Sequence, residues 1–258
     1  MTDQSESRKF ANTLARGLSV LRAFRASDDG LSHSDIAQRT GLAGATVTRL
    51  TFTLTELGFL SHDRKTGYFR LGPAAIAVGS VASASANFLD LVSGPMQDLA
   101  DKTGTLALMA VRDGDRMMLT KTWRPFGTAS IWLEPGHRIP VYGSSSGQAV
   151  VASLSDARFS ALNPDADLRA FRQNGYEQLV GRGFTIAPQP TRYAATVNAV
   201  SVPYFAGEFG EPVAFTCGAL PEMLSDARML NEVGPALRDV VRDLELKTGR
   251  SSALARRG

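Results

Sequence analysis

Residues Leu31 to Leu71, LSHSDIAQRTGLAGATVTRLTFTLTELGFLSHDRKTGYFRL, constrain this chain more than any other stretch. They set a short helix, a glycine turn, a second helix and a basic hairpin in immediate succession. Ser32 can cap free N–H groups, and Asp35 stands three positions on as the acid of a capping box. Ile36 and Ala37 then face inward, and Thr40-Gly41-Leu42 supplies the turn because glycine reaches the left-handed backbone region. In the second helix Val47, Leu50, Leu54 and Leu57 recur at helical spacing and bury one stripe. Ala45, Thr48, Arg49, Phe52 and Thr53 are left facing outward. Gly58-Phe59-Leu60-Ser61 leads into a hairpin whose tip carries Arg64 and Lys65 and whose return is Tyr68 to Leu71. That order is a winged helix-turn-helix, which puts the outward residues in a major groove and the basic tip near a phosphate or the minor groove. A helical hairpin used only for packing shares the first part of this pattern. The strand pair directly after the helices favours the DNA-reading unit.

Charge is placed unevenly. Residues 1–72 hold 10 Lys and Arg against 7 Asp and Glu, whereas 73–258 hold 18 of each, so the whole chain's net charge of +3 lies in the first part. This excess is mild, and affinity for DNA should then depend on paired half-sites as well as on phosphate attraction. The chain's 258 residues and 43% hydrophobic content support two compact domains. One cysteine, Cys217, excludes an internal disulfide and cannot supply a cysteine zinc cluster, so neither metal nor cofactor is expected and a cytoplasmic home is. The opening MTDQSESRKF lacks the apolar core of a signal peptide. The most membrane-like run, Ala74 to Leu89, is broken by Ser80, Ser83, Ser85 and Asn87, so no membrane partner is expected.

The expected architecture is α+β. A winged helix-turn-helix domain covers 1–73, a small-residue linking helix 74–93, and an antiparallel sheet with flanking helices 94–258. Pro95 suits the first turn of a helix ending before Gly104. Leu106–Val111 and Met117–Trp123 flank Asp113-Gly114, a hairpin signal, and further strand-like runs lie at Ala129–Leu133, Ile139–Tyr142, Ala199–Tyr204 and Val213–Ala219. Helical stretches fall at Gly147–Leu154, Leu168–Leu179 and Asn231–Lys247.

Gly143-Ser144-Ser145-Ser146-Gly147 fits the G-x-S-x-G pattern of a serine hydrolase and follows a strand-like run. That fold requires a histidine after the nucleophile, and His33, His62 and His137 all precede Ser145. The better physical use of the loop is anion capture, with hydroxyls and backbone N–H groups at the positive end of a helix dipole. Helix capping without a ligand remains open. An RNA-binding module is a third reading. It would need an exposed aromatic platform, for which only Phe52, Tyr68 and Phe69 stand in the reading unit.

TGLAGATVTRLTFTLTELGFL followed by GYFRLG, with LARGLSVLRAF before them, resembles the DNA-binding half of the IclR family of bacterial transcriptional regulators. GHRIPVYGSSSGQAVVASL, NAVSVPYF and VAFTCGALP follow the order of segments in that family's effector-binding domain. The resemblance implies a GAF-like second domain, a homodimer or tetramer with paired reading heads, a double-stranded and palindromic DNA operator, a small-molecule effector and, more often than not, repression. It also exposes departures. The family's polar residues at the start of the reading helix are here Ala43, Gly44 and Ala45, which leaves Thr46, Thr48, Arg49 and Thr53 to bond bases. Ala45 or Phe52 would meet thymine methyls unless Phe52 tucks beneath the wing. The acid, cysteine and two serines of small-oxo-acid sensors align with Pro188, Asn198, Thr216 and Gly218. The effector is therefore expected to be a carboxylate with an apolar or aromatic part, held by Ser144, Ser145, Ser146 and Gly147, with Trp123, Ile131, Trp132 and Val141 as apolar walls. Arg192 and Tyr193 replace acidic character before the next strand, and an inward Arg192 would pair with a carboxylate.

Overall fold

The computed structural model describes residues 10–188 and 196–256, so Arg192 and Tyr193 lie outside the described residues. Contacts divide the chain into two compact units, one ending at Ser85 and the other beginning at Ala86.

In the first unit α1 (Asn12–Leu21), α2 (His33–Thr40) and α3 (Gly44–Glu56) close around Val20, Ile36 and Val47, none of which reaches solvent. The capping box forms. Asp35 N–H donates to Ser32 Oγ at 3.2 Å, and Ser32 N–H donates to Asp35 Oδ2 at 2.9 Å. Gly41 ends α2 at φ 70°, which turns the chain into α3. β1 (Leu60–Asp63) and β2 (Tyr68–Leu71) form the antiparallel wing, and Leu31 pairs with Phe69 beside it. Asp63 braces the tip by accepting from Lys65 N–H and Thr66 Oγ1, both at 2.9 Å.

Leu57 departs from the expected buried stripe. It caps α3 from outside the last turn and stands exposed, while Thr51 takes a buried place one turn after Val47. That hydroxyl is satisfied by donating to the Val47 carbonyl at 3.0 Å and lies 3.0 Å from His33 Nε2. After the wing, α4 (Pro73–Ala84) starts at Gly72 and buries no residue, so Ile76, Val78 and Val81 remain exposed.

The second unit is a five-stranded antiparallel sheet in the order β5-β4-β3-β7-β6. Its strands are β3 (Leu106–Asp113), β4 (Arg116–Trp123), β5 (Arg138–Pro140), β6 (Asn198–Ala206) and β7 (Glu211–Ala219). One face carries the core that α5 (Phe88–Thr103) and α10 (Gly234–Lys247) close with Phe88, Met96 and Leu237 against Met109, Tyr204 and Phe215. A short α9 (Asp226–Arg228) and a π turn over Met229–Val233 lead into α10. The other face packs Leu106, Leu119 and Ala214 against α6 (Ser145–Ser153), α7 (Asp156–Ser160) and α8 (Ala166–Arg182). Alternation along β7 assigns Phe215 and Cys217 to the first face and Ala214, Thr216 and Gly218 to the second.

Three further expectations are corrected here. The single linking helix over 74–93 is two helices, because α4 stops at Ala84 and α5 starts at Phe88 with Asn87 before it. Pro95 sits inside α5 and not in its first turn. Phe88, Val92, Met96 and Leu99 all bury on one core, and that packing carries the helix through the proline. Ala129–Leu133 is not a strand but a loop tied down by Arg124, whose guanidinium donates to the carbonyls of Ile131 at 3.3 Å and Leu133 at 2.8 Å. Among the described residues no single helix is long and apolar enough to cross a membrane.

Candidate functional site

The outward face of α3 carries Ala45, Thr48, Arg49, Phe52 and Thr53, all exposed, with Thr46 half-buried beside them. Phe52 is 67% exposed and does not tuck beneath the wing. The Thr48 and Thr53 hydroxyls turn back on the helix and donate to the carbonyls of Gly44 at 3.0 Å and Arg49 at 3.1 Å. Arg64 and Lys65 stand exposed at the wing tip. Gly72 fixes where the wing leaves the unit. A Cβ there would lie 2.3 Å from the Gly58 carbonyl oxygen, and the Gly72 N–H donates to Phe59 at 2.8 Å.

In the second unit a cavity of about 110 Å³ opens between the sheet and the loop that enters α6. The sheet contributes Leu108, Ala199, Thr216 and Gly218, and the loop contributes Gly143, Ser144, Ser145 and Ser146. Ile131, Leu133, Ile139, Ala187 and Val197 complete a mostly apolar wall, and among the described residues no charged side chain lines it. Ser144 is the N-cap of α6. Its hydroxyl donates to the Pro140 carbonyl at 2.6 Å and accepts from the Gly147 N–H at 3.1 Å. The N–H groups of Ser145 and Ser146, in the first turn, have no acceptor within the helix. Beneath them runs a chain of hydroxyls. Ser201 donates to Ser145 Oγ at 2.9 Å, and Thr216 Oγ1 lies 2.7 Å from Ser201 Oγ.

Ile131, Ser144, Ser145, Ser146, Thr216 and Gly218 are thus brought together as expected, and six other candidates are not. Trp123 belongs to the opposite core, beside Phe215. The strand shifts register between Met109 and Ala110, which leaves Thr120 unpaired in β4 and turns Trp123 to the face opposite Leu119. Trp132 is 71% exposed, with the Arg124 guanidinium 3.9 Å from its ring centroid. Val141 and Gly147 pack on each other behind the wall, where a Cβ on Gly147 would lie 2.1 Å from the Val141 carbonyl oxygen. Asn198 faces away and donates to the Leu224 carbonyl at 2.8 Å, and Pro188 lines a separate cleft with Gln178 and Arg182. Sequence reasoning missed Leu108, Leu133, Ile139, Gly143, Ala187, Val197 and Ala199 as walls, and Ser201 as the hydroxyl behind Ser145.

The hydrolase reading finds no base at Ser145. Its side chain meets the Ser201 hydroxyl, and among the described residues no histidine, carboxylate or lysine lines the cavity. His33 and His62 pack on Phe69 in the other unit. Cys217 lies on the opposite sheet face, where burial pushes its thiol up to about 12 and keeps it protonated. Among the described residues no group of three His, Cys, Asp or Glu side chains could hold a metal.

Two family models match this chain. The IclR helix-turn-helix domain covers residues 13–64, and the C-terminal domain of bacterial transcriptional regulator IclR covers 81–246. The chain belongs to the IclR family of bacterial transcriptional regulators. The Pca regulon regulatory protein of Pseudomonas putida is 31% identical over 163 residues, 62% of this chain and 55% of that protein. The transcriptional repressor IclR of Escherichia coli strain K12 is 29% identical over 167 residues, 62% of this chain and 59% of that protein. These alignments span little more than half the length of either relative. A solved IclR homologue from Microbacterium hydrocarbonoxydans, complexed with 4-hydroxybenzoate, has the same fold. Its TM-score is 0.70 at 20% identity, over 95% of this chain and 99% of that one.

Proposed function

We propose that this IclR-family chain is a sequence-specific DNA-binding repressor of transcription, controlled by a small carboxylate with an apolar or aromatic part. One observation carries the DNA-binding half. The exposed stripe of Ala45, Thr48, Arg49, Phe52 and Thr53 lies on the second helix of the matched helix-turn-helix, with Arg64 and Lys65 on the wing that follows. The contacts proposed for DNA are those eight residues counted with Thr46. The protein would work as a homo-oligomer in the cytoplasm, with paired heads meeting a palindromic operator.

The effector half is supported by the direction of hydrogen bonding in the cavity. Ser201 gives its one proton to Ser145, so Thr216 donates to Ser201 and the Ser145 proton is left for a ligand. That proton and the first-turn N–H groups of α6 are all donors at a positive helix end, which suits a carboxylate in a cavity where, among the described residues, they are the groups that can meet its charge. The ring or chain would lie against Leu108, Ile131, Leu133 and Ile139. The family relative named a repressor supports the sign of regulation, and the structural relative complexed with 4-hydroxybenzoate supports the ligand class.

Nuclease footprinting on the DNA flanking the protein's own gene tests this reading. Two inverted half-sites in register with whole helical turns are expected, and a carboxylate effector that fills the cavity should erase the footprint. Protection without symmetry, or none above random DNA, contradicts it.

A further inference from the structure

We infer that the exposed stripe of the reading helix recognises its operator mainly through thymine C5-methyl groups, with Arg49 as the one hydrogen-bond donor on that stripe, meeting guanine. This inference rests on the DNA-binding function proposed above.

A threonine hydroxyl has one proton. Thr48 places it on the Gly44 carbonyl and Thr53 places it on the Arg49 carbonyl. What these two side chains present outward is a methyl group and oxygen lone pairs. Ala45 has only a methyl, and Phe52 offers an exposed ring. α3 carries no Asn or Gln, the residues that read adenine bidentately, and its one carboxylate, Glu56, is at the end of the helix away from the groove-entering first turns. Arg49 is then the only member of the stripe with donors to spare, and its natural partner in a major groove is guanine O6 and N7.

In that groove the thymine methyl is the one base-edge feature read by apolar contact, from Ala, the Thr methyl or Phe. A large apolar ring held in water on the outward side of the helix gains from such contact, and Ala45, Thr48 and Phe52 stand one helical turn apart along a single line.

The test starts from the tightest duplex recovered by selection from a random-sequence library with the full chain. Each thymine in a half-site is then replaced by deoxyuridine, which removes the methyl and leaves base pairing intact. Loss of about fourfold in affinity is expected for each thymine whose methyl is buried against the helix. Two protein variants read the same contact from the other side. Thr48→Val keeps the methyl and removes the hydroxyl, and should bind as the parent does. Thr48→Ser keeps the hydroxyl and removes the methyl, and should bind several-fold more weakly. A preferred duplex that tolerates uracil at every position, with Thr48→Val weakened and Thr48→Ser unchanged, overturns the inference alone. Failure of the selection to yield any preferred duplex overturns the DNA-binding function, and the inference with it.

Discussion

The hydroxyls of Ser201 and Ser145 meet at 2.9 Å beneath the cavity lining, with Ser201 as donor. Because each hydroxyl has a single proton, this bond leaves the Ser145 proton unspent on Ser201, and Thr216 Oγ1 stands 2.7 Å behind Ser201 Oγ. The strand residue Ser201 thereby polarises a helix residue 56 positions away.

Ser145→Ala should weaken an aromatic monocarboxylate by about three- to tenfold, the worth of one net hydrogen bond. Isothermal titration with benzoate and the matching benzamide checks it. The acid should bind better to the parent, and the variant should lose most of that preference. Equal loss for both compounds would show that the serine shapes the cavity without reading charge.

Arg49→Ala should cost about 1–3 kcal/mol of operator affinity while leaving binding to random duplex nearly unchanged. Arg64→Ala or Lys65→Ala should instead weaken both duplexes alike and lower the salt slope by about one each. Fluorescence anisotropy across a salt series separates the two patterns.

Gly72→Ala should destabilise the first unit by about 2 kcal/mol or more, because its Cβ would stand 2.3 Å from the Gly58 carbonyl oxygen and either the wing or α4 must move. Thermal unfolding measures the cost. The substitution Gly79→Ala is the control, since nothing stands within 4 Å of a Cβ there.

Stability of the first unit should fall in acid. The Arg39 guanidinium grips Asp28 with bonds of 2.6 and 2.9 Å and holds its carboxyl below the ordinary 3.8, and the Ser32 hydroxyl does the same for Asp35. A folded pKa below the unfolded one means that the stabilisation is complete above about pH 5 and is lost as pH falls through 3.8 and below. Asp28→Asn should be less stable at neutral pH and should show a flatter loss between pH 5 and 3, as followed by circular dichroism.

What could be read from sequence is local in origin. Ser32, Asp35 and Gly41 act within one helical turn of themselves, so the capped helix, the turn and the exposed stripe of α3 follow from spacing alone. The Ser144–Ser146 loop was legible for the same reason, as a run of caps before a helix. The rest of the cavity was not. Trp123 falls on the wrong face because the register shift at Met109 and Ala110 breaks a count by twos, and neither strand's sequence marks it. Leu108, Ala199 and Ser201 come to the site only through the order β3-β7-β6, in which β3 pairs with β7 from more than a hundred residues away. Pro95 misled in the opposite direction, since a residue that suits a helix start sits inside a helix that begins at Phe88 and is held by the buried Phe88, Val92, Met96 and Leu99.

The central claim is tested most directly by titrating the purified chain against DNA from beside its own gene, at two salt concentrations, with random duplex of equal length as competitor. One palindromic segment is expected to survive competition at both salts and to be released by a carboxylate that fills the cavity. Equal and steeply salt-dependent binding to both duplexes would contradict it, because phosphate attraction alone would then explain all the affinity.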